Sequence, residues 1–354
     1  MAKTKSSAPA FIGSFLKDTA KIDGVSTTAA PPRYWHSFGN CVVNAVMSGE
    51  YDKGIAQGRI TGIVGPSGAG KSFIVGNLVK SAQEDGSIIL VVDSENALDD
   101  DYMTKIGCDT SDEAGYYYRG VSTVSQVIKI VSAFIKGYRA QYGDDETAPR
   151  VLIAIDSLNM LQTDSSAENY DKGVQKGDQG QKAKQVKAML LDFVQDIKGL
   201  NIAMVVTGHV YKNTDLLNGE GTYIVNDGMR FSLSQIVLVT KLKLRDKATK
   251  EFEGIQMKVF GFKTRFTKPF QSVTIEVPYD SGIDKYSGLL DVAKAQGIVT
   301  QAGARYTLKG ETTSWFAKDF GDRAEQVLAQ VMENKTAILS IDSEVDDPED
   351  TPEE

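Results

Sequence analysis

Eight consecutive residues carry the most specific chemistry in the chain: Gly65, Pro66, Ser67, Gly68, Ala69, Gly70, Lys71 and Ser72. They fit the spacing G-x-x-x-x-G-K-[ST], in which glycines let the backbone close round an anion with no Cβ in the way. Amide N–H groups converging at a helix start form the cradle, and the lysine adds a mobile point charge for the outer phosphates. The Ser72 hydroxyl is a ligand of the kind that magnesium takes beside phosphate. The chemistry is nucleoside triphosphate binding; what the energy is used for does not follow from the loop.

Such a loop needs a strand before it and a helix behind it. Residues 60–64 are an apolar run, and residues 73–79 have helical spacing. Three more continuous apolar runs, 88–92, 151–155 and 202–206, suit strands buried on both faces of a parallel sheet. They end in Asp93-Ser94-Glu95-Asn96, in Asp156, and in Thr207-Gly208-His209 respectively. Asp156 falls where the second nucleotide-site strand places a carboxylate for magnesium; a plain helix cap is the alternative. Runs at 236–244, 255–262 and 272–277 follow one another across short turns, which suits antiparallel strands. The expected fold is α/β: a mainly parallel twisted sheet with helices on both faces and antiparallel strands at one edge. The core spans 33–281. An arm, 1–32, precedes it with Phe11 and Phe15 as candidate anchors for a neighbouring subunit; a locally packed helix is the alternative. A small helical or α+β region, 282–341, follows.

Two polar stretches, 162–182 and 211–230, interrupt the core, and loops of that length are functional or mobile more often than not. They contain Lys172, Lys176, Lys182, Lys212 and Arg230, with Lys184 just beyond the first. Cations among amides and hydroxyls can follow a nucleic-acid backbone without reading its bases. The net charge of −8 and a pI near 5.1 speak against a basic binding protein at first sight. The distribution resolves the difficulty: residues 342–354 hold eight acidic groups and no basic one, so the rest of the chain is neutral. That tail reads as a disordered segment, regulatory or merely solubilising. Cys41 and Cys108 make no metal motif or disulfide framework, no apolar stretch reaches membrane-spanning length, and the polar N-terminus has no signal-peptide core. A cytoplasmic location is expected, with no membrane partner.

The run from Val92 to Tyr102 resembles the segment that carries the catalytic glutamate in RecA-type recombinases. Gly282 to Asp291 resembles the C-terminal region of the UvsX branch of that family, from tailed phages. The order of motifs agrees from about residue 33 to 300. The resemblance implies an ATP- and Mg2+-dependent DNA recombinase. It would polymerise as a helical homo-oligomeric filament on single-stranded DNA, pair that strand with homologous duplex DNA and exchange strands, assisted by mediator and single-strand-binding proteins. Carried over residue by residue, Glu95 orients the attacking water, Asp99 and Tyr102 contact adenine, and His209 senses the γ-phosphate. Lys263 and Arg265, two apart on a strand and so pointing the same way, reach the neighbour's ATP. The two polar stretches become DNA-binding loops. A hexameric helicase, or a DNA-stimulated ATPase that forms no filament, shares the ATPase core and is the rival reading.

Overall fold

The apolar runs become the centre of one sheet because each has helices to bury on both of its faces. In the computed structural model, residues 10–22, 31–143, 145–174, 180–212, 223–245, 252–278 and 282–334 are described. The strands in chain order are β1 (Trp35–His36), β2 (Ile55–Ala56), β3 (Ile60–Gly65), β4 (Ile88–Asp93), β5 (Tyr116–Gly120) and β6 (Val151–Asp156). They continue with β7 (Ile202–His209), β8 (Tyr211–Lys212), β9 (Tyr223–Ile224), β10 (Gln235–Arg245), β11 (Phe252–Lys263) and β12 (Ser272–Pro278). Three short strands close the series, β13 (Val299–Ala302), β14 (Arg305–Leu308) and β15 (Ser314–Phe316). The helices are α1 (Ala10–Thr19), α2 (Cys41–Ser48), α3 (Lys71–Glu84), α4 (Asp100–Ile106) and α5 (Val124–Tyr142). After them come α6 (Asp164–Asp171), α7 (Gln181–Asp196), α8 (Asp227–Ser232), α9 (Leu289–Ala295) and α10 (Ala324–Glu333).

The chain divides into two units, Met1–Arg33 and Tyr34–Glu354. The described part of the first is dominated by α1, on which Phe11, Phe15 and Leu16 are exposed. The second unit holds an eight-stranded sheet in the order β12-β11-β10-β3-β7-β6-β4-β5. From β10 to β5 every neighbouring pair is parallel, whereas β10–β11 and β11–β12 are antiparallel. Alternation along the strands splits their side chains between two cores. Ile63, Val91, Ala154 and Val205 face α2 and α3, with Val46, Ile74 and Leu78. Val64, Val92, Ile155 and Val206 face α5 and α7, with Val127, Val131, Leu190 and Phe193. Each such side chain larger than alanine contributes ~1.5–3 kcal/mol by leaving water, so the ends of the central strands are rigidly placed.

Helix starts follow local chemistry. Thr123 and Gln126 form a reciprocal capping box at α5. Asn40 caps α2 through Oδ1, while its Nδ2 donates to the carbonyls of Asp284 (2.8 Å) and Ser287 (3.0 Å). One side chain thus ties residues 284–287 to the sheet's first flanking helix. Beyond it, β13–β15 form a small antiparallel sheet, in which Trp315 stacks on Tyr306 at 5.2 Å.

Both polar stretches contain regular structure that their composition hid. Within 162–182 lies α6, started by the Thr163 hydroxyl accepting from the Ser166 N–H, and α7 begins at Gln181. No residue of α6 is buried, so it has no apolar stripe by which periodicity could reveal it. Within 211–230, β8 pairs with β9 and α8 follows, so the second stretch is closed at its base. Lys176 and the acidic stretch 342–354 lie outside the described residues. Among the described residues, no helix is long and apolar enough to cross a membrane.

Candidate nucleotide and nucleic-acid sites

Residues 65–72 form the turn from β3 into α3, and two glycines there are dictated by space. A Cβ on Gly65 would lie 2.3 Å from the Val239 carbonyl oxygen of the neighbouring strand. Gly70 has φ +95°, and a Cβ on it would lie 2.7 Å from Met257 Cε. Sheet register then brings the other candidates level with the loop: Gly65 stands opposite His209, and Asp93 opposite Asp156. Four parallel strands, β3, β4, β6 and β7, thus deliver their last residues to one place, the carboxyl edge where α/β sheets bind ligands.

Lys71 is only 6% exposed. Its ammonium donates to the carbonyls of Pro66 (2.8 Å) and Gly65 (3.2 Å) and lies 3.4 Å from His209 Nδ1. Burial lowers its pKa, and Glu95 and Asp156 oppose that shift. A phosphate oxygen would replace the loop carbonyls with a charged acceptor. His209 Nε2 lies 3.4 Å from Glu95 Oε1, and the Ser157 hydroxyl donates to the same oxygen. The turn bearing Glu95 is folded by Asp93, whose carboxylate accepts from the N–H groups of Glu95 (2.8 Å), Asn96 (2.9 Å) and Leu98 (2.9 Å).

Asp156 is 1% exposed; Oδ1 accepts from the Thr207 hydroxyl and Oδ2 has no hydrogen-bond partner. Burial raises its pKa, the Thr207 and Ser72 hydroxyls oppose the rise, and the carboxylates of Glu95 and Asp93 add to it. A buried carboxylate oxygen without a donor, beside a hydroxyl, is an oxygen donor set that fits a hard divalent cation. Ser72 and Asp156 could therefore hold magnesium.

Asp99 caps α4 by accepting from the Tyr102 N–H at 2.8 Å. Tyr102 packs against the α2–α3 side of the core. Its pKa is pushed up to about 12 by burial and then by the Asp156 carboxylate.

The nucleic-acid candidates divide. Lys172 pairs with Glu168 at 3.8 Å, an exposed contact of little energy. Lys184 lies on α7 and Lys212 on β8. The Lys182 ammonium donates to the Asn159 carbonyl, and Asn159 Oδ1 accepts from the His209 N–H at 2.7 Å. One residue therefore touches both a candidate DNA lysine and the candidate sensor. Arg230, on α8, lies over the Phe262 ring at 5.7 Å, and its carbonyl accepts from Lys263 Nζ. Strand β11 stops at Lys263, so the alternation that was to aim Lys263 and Arg265 together does not extend to Arg265. The two still interact: the pKa of Lys263 is lowered by burial and then by Arg265 and Arg230, both of like sign.

Sequence reasoning missed Ser94, Ser157, Asn159 and Thr207. The available signal was position: each lies within four residues of the end of an apolar run that carries a candidate group.

The RecA N-terminal domain family matches residues 37–284. Protein RecA of a Nocardioides species is 24% identical over 302 residues, covering 82% of this chain and 81% of its own. Protein RecA of Thermus aquaticus is 24% identical over 296 residues, with coverage of 81% and 82%. That of Aquifex aeolicus is 25% identical over 292 residues, with coverage of 82% and 78%. The crystal structure of the RadB recombinase aligns with 71% of this chain and 99% of its own at 14% identity and a TM-score of 0.49, too loose a likeness to add to the argument. With the family matched over most of the chain and a strand-end site of this composition, the chain belongs to the RecA family.

Proposed function

We propose that this protein is an ATP-dependent DNA recombinase that forms a helical filament on single-stranded DNA, pairs it with homologous duplex and exchanges strands. The observation that carries the reading is the convergence of Lys71, Glu95, Asp156 and His209 at four adjacent strand ends, with Asn159 linking His209 to Lys182 of the first polar stretch. Phosphoryl transfer to water asks a protein for positioning and charge. Lys71 and the loop amides grip the β- and γ-phosphates. Ser72 and Asp156 would hold magnesium, which when bound would neutralise charge on the phosphates. Glu95 accepts a proton from the attacking water and sets it in line with the γ-phosphate. His209 donates to a γ-phosphate oxygen and so leaves Glu95, and its backbone transmits the change through Asn159.

Arg265 and Arg230 lower the pKa of Lys263, and an anion beside Lys263 would relieve that repulsion. In a filament that anion is the triphosphate of the next subunit, which gives each site cations from two copies. The polar stretches then order on DNA when ATP is bound, which couples the two ligands. The arm with α1 serves as a subunit contact. The phage branch of the family is the finer assignment, supported by the Gly282–Asp291 stretch and by His209 as sensor. The test is negative-stain microscopy of the protein with single-stranded DNA and a non-hydrolysable ATP analogue. Continuous helical filaments are expected; closed rings, or no polymer, would overturn the proposal.

A further inference from the structure

We infer that Ser157 is the positioning residue of the base Glu95, with Ser94 as its anchor; this rests on the reading of Glu95 as the base. Glutamate has three rotatable side-chain bonds, and Glu95 is a quarter exposed, so nothing in its own chemistry fixes where its carboxylate stands. Ser157 is fully buried, and its hydroxyl donates to Glu95 Oε1. Its backbone is fixed on both sides of the α-carbon by one hydroxyl. Ser94 Oγ accepts from the Ser157 N–H at 3.0 Å and donates to the Ser157 carbonyl at 2.7 Å. The Ser94 N–H in turn donates to the Asp156 carbonyl at 2.6 Å.

The turn that bears the base is thereby stitched to the strand end that bears Asp156. The stitching fixes the carboxylate of the base relative to the strand end of Asp156, the geometry on which in-line attack by a water would depend. It also sorts the two carboxylate oxygens. Oε1 takes the Ser157 hydroxyl and lies 3.4 Å from His209 Nε2. Oε2 is the oxygen they leave for the water. When His209 turns to the γ-phosphate, Ser157 is the partner that keeps the carboxylate from following it.

The test is a kinetic cycle on the full-length protein with single-stranded DNA. Ser157→Ala should lower kcat about tenfold with KM for ATP, ATP affinity and Tm near wild type, because only the geometry of the base is lost. On a Glu95→Gln background, Ser157→Ala should leave the residual single-turnover rate unchanged, since the hydroxyl acts through Glu95. Equal losses on both backgrounds, or a raised KM with kcat intact, would overturn the inference. If Glu95→Gln itself keeps wild-type turnover, the reading of Glu95 as base is what fails. If Glu95→Gln is inactive and Ser157→Ala is silent, only the role of Ser157 fails. Should Ser157→Ala not fold, Ser94→Ala decides: it should lower kcat severalfold with no further effect in Glu95→Gln, and wild-type kcat would sink the idea.

Discussion

The groups at the ends of β3, β4, β6 and β7 and the cations at the end of β11 are held in opposite ways. At the first place, unlike charges and donors are matched within one chain. Lys71 faces His209, His209 faces Glu95, Glu95 accepts from Ser157, and Asp156 accepts from Thr207. One acceptor stands out, Asp156 Oδ2, which fits a metal ion. At the second place, like charges stand together: Arg265 and Arg230 lower the pKa of Lys263, whose ammonium also donates to the Arg230 carbonyl. Under the proposed function, the difference teaches that the first place is the phosphate-binding half of a site and the second a cationic half, which a polymer of such chains would unite.

Breaking the first half should have the largest effect. Lys71→Ala should lower ATP turnover at least about a thousandfold, since it removes the charge that meets the outer phosphates. Wild-type turnover in a steady-state assay would show that the loop is not the site. Breaking the second half should cost less, because two cations share the task. Arg265→Ala should lower DNA-stimulated turnover about a hundredfold, while ATP affinity of the unpolymerised protein stays within about twofold. Loss of that affinity would instead place Arg265 beside its own chain's nucleotide.

The smallest effect sharpens the contrast through stability. The folded pKa of Asp156 is raised, so the folded state holds a proton that the unfolded state has already released. Stability contributed by this group is therefore lost as pH rises from the unfolded value of about 3.8 through the folded one. In magnesium-free buffer at pH 8, Asp156→Asn should be more stable than wild type by about 1 kcal/mol, with the gain gone near pH 3.5. Magnesium should raise the Tm of wild type and not of the variant. Thermal unfolding across that pH range checks both, and a destabilised Asn variant at pH 8 would contradict the burial argument.

Much of this was legible in the sequence. The runs at 60–64, 88–92, 151–155 and 202–206 are buried on both faces, so uninterrupted apolar residues announced β3, β4, β6 and β7 and their end residues with them. The antiparallel edge followed from short connections with no helix between β10, β11 and β12. What stayed hidden lacked an apolar signature or depended on distant partners. Helix α6 buries nothing, and the β8–β9 pair is two residues long. Ser157 and Asn159 matter because of Glu95, 62 residues away, and His209, 50 away, separations no local pattern encodes. Arg265 looked like a strand residue only until the end of β11 was fixed at Lys263.

The central claim, that one active site draws on two copies of the chain, is tested most directly by mixing. Lys71→Ala protein retains its cations and Arg265→Ala protein retains its phosphate loop. If sites form between neighbours, an equal mixture on single-stranded DNA rebuilds roughly one interface in four and should recover about a quarter of wild-type ATP turnover, far above either variant alone. A mixture no more active than the mean of the two variants, with filaments still visible by microscopy, would show that each chain hydrolyses ATP with its own residues and would contradict the account.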